Sequence, residues 1–385
     1  MRRNRFASSL AAFALGVVPL LHGAEPQKRA PASAKRDAPP AKRDTTPAKS
    51  GASPPKGSAS PAKDGASPAE AISRQVNEVF TKVRDGVCRI EADDEHGHLR
   101  GTGFFIDAEG TLLTAFSVGG TTQDIVVTVG EQRFPATRLA ADQRAGIAIL
   151  KITPERPVRF LKFGKSSELR AASPIVTAGY PLDLPLSPSF GLVAGLDLGV
   201  AGRFFHTRHI RANVPVQRGQ GGSPVLNLRG EAVGVIISMV ENTTGIFALP
   251  IEAAEKILHD VRTYGRVRQG WVGVDVRPTD MPEHGSSARI LTLREDGPAY
   301  AGGIRAGDIL LRVGAWKITN PEDALNAAFF VSATESLPMH VSRSGKEMKF
   351  TVTPLDPPDG AMPTIERQSP PTILGASDSE KEPGK

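Results

Sequence analysis

Along this chain the spacing of apolar positions changes twice. Ile72, Val76, Val79, Phe80 and Val83 recur at intervals of three and four, which predicts an amphipathic helix running to Asp85-Gly86. From Val87 to about Val240 the period falls to two, in short segments divided by Gly, Pro and Asp turns. These are VCRIEA, GTGFFID, TLLTAF, DIVVTV, IAILKI, PIVTAGY, HIRANV, SPVLN and AVGVIIS. Such a cadence predicts a pair of all-β barrels or a sandwich. A second helix is expected at 250–258, PIEAAEKIL, with proline at its start. After a basic hinge, YGRVRQG, strands are expected at WVGVDV, ARILTL, DILLRV, PMHVSR and KFTVTP. One short helix falls near Pro298–Ala301. Another falls at Pro321–Phe330, capped by Asn320 with proline in its first position.

Outside these periodic regions the chain has a different character. MRRNR is a basic opening, Phe6 to Leu21 is apolar but interrupted by Pro19, and Gly23-Ala24 are small. That pattern predicts a secretory signal over 1–24, cut after Ala24, with an uncleaved anchor as the alternative; the run is short for a membrane span. Residues 25–70 are Pro, Ala, Ser and Lys, with too little apolar surface to offset the entropy of ordering them. Lys28, Lys35, Lys42, Lys49, Lys56 and Lys63 recur every seven residues, but no apolar seam accompanies them and the prolines forbid a coiled coil. A polyproline-biased linker fits, reaching about 140 Å if fully extended. Its lysines are expected either to touch anionic envelope material or to act as a solubilising spacer. Residues 357–385 again predict a disordered tail.

Charge and cysteine narrow the function. The net charge of +6 would suggest nucleic acid if it lay on a folded face. Instead the leader carries three arginines, and 25–70 carries nine basic residues against five acids, leaving the remainder about one unit negative. No nucleic-acid partner and no cofactor are expected. The single cysteine, Cys88, permits no intramolecular disulfide and sits in an apparent strand as a buried thiol.

Four segments in order then resemble the HtrA-type, trypsin-like serine proteases. GTGFFIDAEGTLLT is similar to their G-S-G-F…G-x-I-L-T, and DQRAGIAILKI to D-x-x-x-D-L-A-V-L-K-I. GQGGSPVLNLRGEAVGVI is similar to G-N-S-G-G-P-L-V-N-x-x-G-E-V-I-G-I, and GIFALPIEAAEKIL to G-I-G-F-A-I-P. A following GWVGVDV…EDGPAYAGGIRAGDILLRV resembles the family's PDZ domain. The resemblance spans about 71–355. It implies a mainly β protein: a double six-stranded β-barrel (71–265) followed by a PDZ domain (266–356), exported to the periplasm or cell envelope for protein quality control. It also implies homotrimers.

The departures decide what such a protein does. Serine proteolysis needs a nucleophile, a base to take its proton and a carboxylate to orient that base. The histidine slot, separated from the I-L-T position by two residues, holds Ser117; the aspartate slot before the IAIL run holds Gly146; the nucleophile slot holds Gly221. Gly221 and Gly222 are expected to offer only backbone N–H groups. Ser223, two places late, is the alternative nucleophile, but that displacement exceeds what attack geometry tolerates. The expectation is a pseudoprotease acting by peptide binding; the alternative is an active endopeptidase using Ser223. In the PDZ-like part, a loop Gly270-Trp271-Val272-Gly273 would receive a peptide C-terminus beside the edge strand from Val274. Leu325, Ala328 and Phe329 would supply the facing helix, with Trp271 as core packing the competing reading. His96 and His98, beside three acids, suggest either zinc or a solvated hairpin tip, and His206 and His209 ordinary surface or interface residues.

Overall fold

A computed structural model of the protein describes residues 67–95, 97–200, 203–239 and 245–358. The predicted signal, nearly all of the lysine-repeat linker, His96 and the tail from residue 359 lie outside the described residues. From Ser73 onward the described residues belong to one compact unit.

Helix α1 (Pro68–Val83) begins inside the stretch expected to be unfolded. The cause is local: the Glu70 carboxylate accepts from the Ser67 N–H at 2.7 Å, and the Ser67 hydroxyl accepts from the Glu70 N–H at 3.3 Å. This reciprocal pair satisfies donors that a helix start leaves open, and Pro68 occupies the first position, where no N–H is needed.

The first sheet comprises β1 (Val87–Asp94), β2 (Gly97–Phe105), β3 (Thr111–Ala115), β4 (Gln123–Val129), β5 (Gln132–Pro135), β6 (Thr137–Asp142) and β7 (Ile147–Lys151). A single helical turn, α2 (Phe116–Gly119), follows β3. The order is β5-β4-β1-β2-β3-β7-β6. Its two ends, β5 and β6, are consecutive in the chain and separated only by Ala136, whose N–H donates to Ile125 O at 2.8 Å. The expected sixth strand is therefore one bent strand counted as two, carrying the chain from one sheet edge to the other. Cys88, Ile90, Phe105, Leu112 and Leu150 fill its interior.

The second sheet is a closed barrel of β8 (Pro174–Gly179), β9 (Ser187–Val200), β10 (Arg203–Asn213), β11 (Pro224–Leu226), β12 (Ala232–Met239) and β13 (Gly245–Pro250). Its order is β10-β13-β12-β11-β8-β9. Ile175, Val193, Ile210, Val225 and Ile236 form its core. A third apolar layer joins Phe104 and Leu113 of the first sheet to Val176, Leu226 and Leu249 of the second. The same layer takes in the buried faces of α1 and α3 (Ile251–Tyr264). Gly265, at φ 70°, ends α3 in the left-handed conformation that releases the chain at low steric cost.

The C-terminal part has its own core of Val276, Ile290, Leu310, Met339 and Val341. Its elements are β14 (Val274–Glu283), β15 (Ser286–Leu293), α4 (Pro298–Ala301), β16 (Ile309–Val313), β17 (Trp316–Lys317), α5 (Pro321–Phe329), β18 (Leu337–Arg343) and β19 (Lys346–Val352). The sheet runs β14-β15-β16-β18-β19, with β17 beside β16, so β14 is an edge strand. Asn320 caps α5 as expected, its side-chain oxygen accepting from the Asp323 N–H at 2.9 Å.

Two polar clamps and one apolar anchor hold this part to the barrels. Asn326 Oδ1 accepts from Thr207 Oγ1 at 2.8 Å and from the Arg208 N–H at 2.9 Å, and Arg208 pairs with Asp323. At the junction the buried Asp260 binds Lys256 Nζ at 2.6 Å, the Arg268 N–H at 2.8 Å and Ser332 Oγ at 3.2 Å. Phe329 packs into the layer between the barrels.

Candidate functional site

The three positions singled out by the protease resemblance meet at the junction of the two barrels. Ser117 is the exposed second residue of α2, whose first residue, Phe116, donates its N–H to Gly146 O at 2.7 Å. Gly221 lies in the loop before β11. That loop is held by Thr102, whose N–H donates to Gly221 O at 2.9 Å and whose hydroxyl donates to Gly219 O at 2.8 Å. A Cβ on residue 221 would stand 4.0 Å from Ser117 Oγ. Gly146 has φ +75°, and a Cβ there would face Ile237 at 3.1–3.3 Å, so an apolar side chain borders the place a carboxylate would need. The nearest acid in sequence, Asp142, is committed to its own turn: it accepts from the Arg144 N–H at 2.9 Å and pairs with the Arg144 guanidinium at 2.9 Å.

Of the two glycines expected to offer N–H groups, Gly222 is engaged, donating to Ile236 O at 2.8 Å. Gly221 donates to no protein acceptor among the described residues. Ser223 is fully buried, and its hydroxyl has no hydrogen-bond partner among the described residues. It is wedged against Gly179, where an added Cβ would collide with its Oγ.

Gly270, Trp271, Val272, Gly273, Val274, Leu325 and Phe329 line a single groove between β14 and α5. Two of the four loop donors are already consumed: the Gly270 N–H by Val331 O at 2.7 Å and the Trp271 N–H by Leu355 O at 2.8 Å. The Val272 and Gly273 N–H groups meet no acceptor among the described residues, and they adjoin the free edge of β14. Gly273 needs to be glycine, because at φ +77° a Cβ would press on the Trp271 ring at 3.0 Å. Trp271 is half-buried, with the Arg294 guanidinium 5.6 Å from its ring centre. The groove has one wall that sequence reasoning missed: His206 of β10 reaches it from the barrel. No local signal could have found it, because the residue belongs to a different element of the fold.

A family model described as a trypsin-like peptidase domain matches residues 101–235. Probable periplasmic serine endoproteases, DegP-like, are similar over 266 residues. The one from Pseudomonas fluorescens is 29% identical, covering 66% of this chain and 55% of the relative. That from Bartonella henselae is 30% identical, covering 66% and 52%. Among solved structures, the HtrA-type protease AlgW with a tripeptide superposes with a TM-score of 0.61 at 20% identity, covering 74% of this chain and 99% of that one. A serine endoprotease from Yersinia pestis gives 0.53 at 21% identity, covering 73% and 97%.

The chain is related to the HtrA-type serine proteases.

It has the HtrA-like, mainly β fold that the sequence predicted. It spans about half the length of the DegP-like relatives it matches. Against the HtrA pattern, the remaining histidines take unremarkable or buried places. His98 pairs with Asp93 at 2.7 Å on the exposed β1–β2 hairpin, and no metal-binding cluster occurs among the described residues. His209, expected at a surface or interface, is fully buried, its ring centre 4.0 Å from that of Phe205 in a tilted arrangement. Its Nδ1 lies 2.8 Å from Thr207 O, which can only accept, so Nδ1 carries the proton and Nε2 is left without a partner. Burial pushes its pKa down to about 4. Burial likewise lowers that of His206, helped by Arg144 and opposed by Asp142. Burial raises the Cys88 thiol out of reach of ionisation at neutral pH.

Proposed function

We propose that this chain is an exported, non-catalytic HtrA relative that holds polypeptide C-termini in the groove of a PDZ-type module spanning 266–356. The observation that carries the reading is the space at residue 221. Where a nucleophile would stand there is no side chain, and the three atoms nearest the position a Cβ would take are two apolar carbons, of Ala115 and Val118, and the Ser117 hydroxyl at 4.0 Å. A hydroxyl beside a glycine supplies neither nucleophile nor base, and free N–H groups without them give little rate enhancement. Periplasmic placement follows the names of those relatives; action as a chaperone, scaffold or regulator of active relatives belongs to the proposal itself. Trimeric assembly is part of the same proposal.

The groove supplies the binding half. A peptide pairing with β14 would place its terminal carboxylate at the Val272 and Gly273 N–H groups and its last side chain among Leu325, Phe329 and Met339. A tripeptide and a decapeptide accompany AlgW in its solved structures. The mature protein should neither degrade casein nor react with a fluorophosphonate serine probe. Turnover that vanishes in Ser223→Ala would overturn the non-catalytic reading. A peptide ending in a free apolar residue should bind at roughly micromolar Kd, about −8 kcal/mol. Its amide should lose about 1.5–3 kcal/mol with the charge-assisted hydrogen bonds. Equal binding of the two would rule out the carboxylate loop.

A further inference from the structure

The groove is walled almost entirely by backbone and apolar side chains, and among the described residues His206 is the one titratable residue that lines it. That residue does not belong to the C-terminal sheet. It projects from β10, next to Thr207 and Arg208, the two residues through which α5 is docked. The docking therefore fixes the imidazole at the groove wall. We propose that His206 is a specificity-determining residue of this groove: it pairs with a carboxylate of the bound peptide and takes up a proton as the peptide binds. This rests on the peptide-binding reading above and adds to it a charge preference and a pH dependence.

The surroundings of His206 can be followed element by element. From the β6–β7 turn it is faced by Arg144, which opposes its protonation, and by Asp142, which favours it but is already paired with Arg144. From its own strand it is faced by the buried, neutral His209. Arg208, its neighbour but one, is neutralised by Asp323. The lining residues of β14 and α5 are uncharged. In the peptide-free protein burial thus holds the His206 pKa below its ordinary value, and each of the acids named beside it, Asp142 and Asp323, is already paired with an arginine. An arriving carboxylate changes that balance, since an opposite charge within about 4–6 Å raises the pKa of an imidazole. Because the bound-state value exceeds the free-state value, affinity increases as pH falls through the bound-state pKa. It levels off below the free-state one, and the slope is at most about tenfold per pH unit for one proton.

The test is a fluorescence-anisotropy titration of the full mature protein between pH 7.5 and 5.5. Three labelled heptapeptides are used: a free apolar C-terminus without acidic side chains, the same peptide amidated, and an amidated peptide with Glu in the penultimate place. A peptide bearing a carboxylate should bind about five- to tenfold more tightly at pH 5.5 than at 7.5. The neutral amide should show no slope. Whether the free terminus or the Glu peptide carries the slope identifies which carboxylate His206 meets, and either supports the proposal. His206→Gln should flatten the slope, and His206→Lys should bind tightly with no slope. A slope that persists in His206→Gln, or a flat wild type that still binds, overturns the role of His206. Absence of binding for all three peptides overturns the groove reading itself, and this inference with it.

Discussion

At position 209 a histidine sits where neither of its charge states is fully satisfied. Its Nδ1–H is bonded to Thr207 O, but Nε2 is buried without a partner. Its pKa falls from 6.5 to about 4 on folding, so between those values the unfolded chain binds the extra proton. Stability from this residue is present above pH 6.5 and is lost as pH falls toward 4. The loss is about 3 kcal/mol at 1.36 kcal/mol per pH unit. His209→Phe preserves the stacking on Phe205 and removes the titrating group. It should therefore flatten the acid limb of urea-denaturation stability between pH 6.5 and 4, while shifting stability at pH 7.5 by no more than about 1 kcal/mol. An unchanged acid limb would exclude His209 as its source. Little of this was legible in the sequence, because burial of a histidine depends on which strand covers it. That positions 117, 146 and 221 lie near one another could be expected from the sequence, since each lies at a fixed offset from an apolar run that must form a strand. The collision of Ser223 with Gly179 could not, as it depends on two strands distant in sequence.

At the level of elements, the strands that alternate cleanly were readable and those rich in glycine were not. The 14-residue β9 escaped notice because Gly191, Gly195 and Gly199 break its pattern. Gly191 is there because β10 passes so close that a Cβ would collide with Asn213 O. The bent strand β5–β6 escaped because Pro135 reads as a turn and its outer residues, such as Leu139, are exposed. The hinge is basic in sequence, yet an acid one turn earlier, Asp260, holds the Arg268 N–H of that hinge. Asp260 is fully buried and neutralises Lys256, whose side chain is only 9% exposed. Removing one member of such a pair strands the other charge, at a cost of about 3–5 kcal/mol. Asp260→Ala should lower unfolding stability by that amount in urea titration. Asp260→Ala with Lys256→Met should recover part of it, because no charge is then left unpaired. A double variant as unstable as the single would mean that the Arg268 and Ser332 hydrogen bonds, rather than the ion pair, carry the junction.

For the whole molecule the question is whether the C-terminal sheet unfolds with the barrels or apart from them. It has its own core, which would permit independent melting. Against that, Phe329 is shared with the apolar layer between the barrels, and Asn326, only 4% exposed, satisfies two donors of β10. These contacts make the described residues one cooperative unit, and calorimetry of a 67–358 fragment should give a single transition. The contacts are also few enough to remove. Asn326→Ala leaves the buried Thr207 hydroxyl and the Arg208 N–H unsatisfied, about 1–3 kcal/mol each. Arg208→Ala deletes the partly exposed ion pair with Asp323, worth no more than about 1 kcal/mol. Neither change touches the core of either part. With both made, the transition should split in two, the lower one belonging to the C-terminal sheet and moving up when a groove-binding peptide is added. If the double variant instead melts in one transition at a lower temperature, Phe329 and the Asp260 junction suffice to couple the parts. His206 would then remain fixed in the groove wall without help from α5.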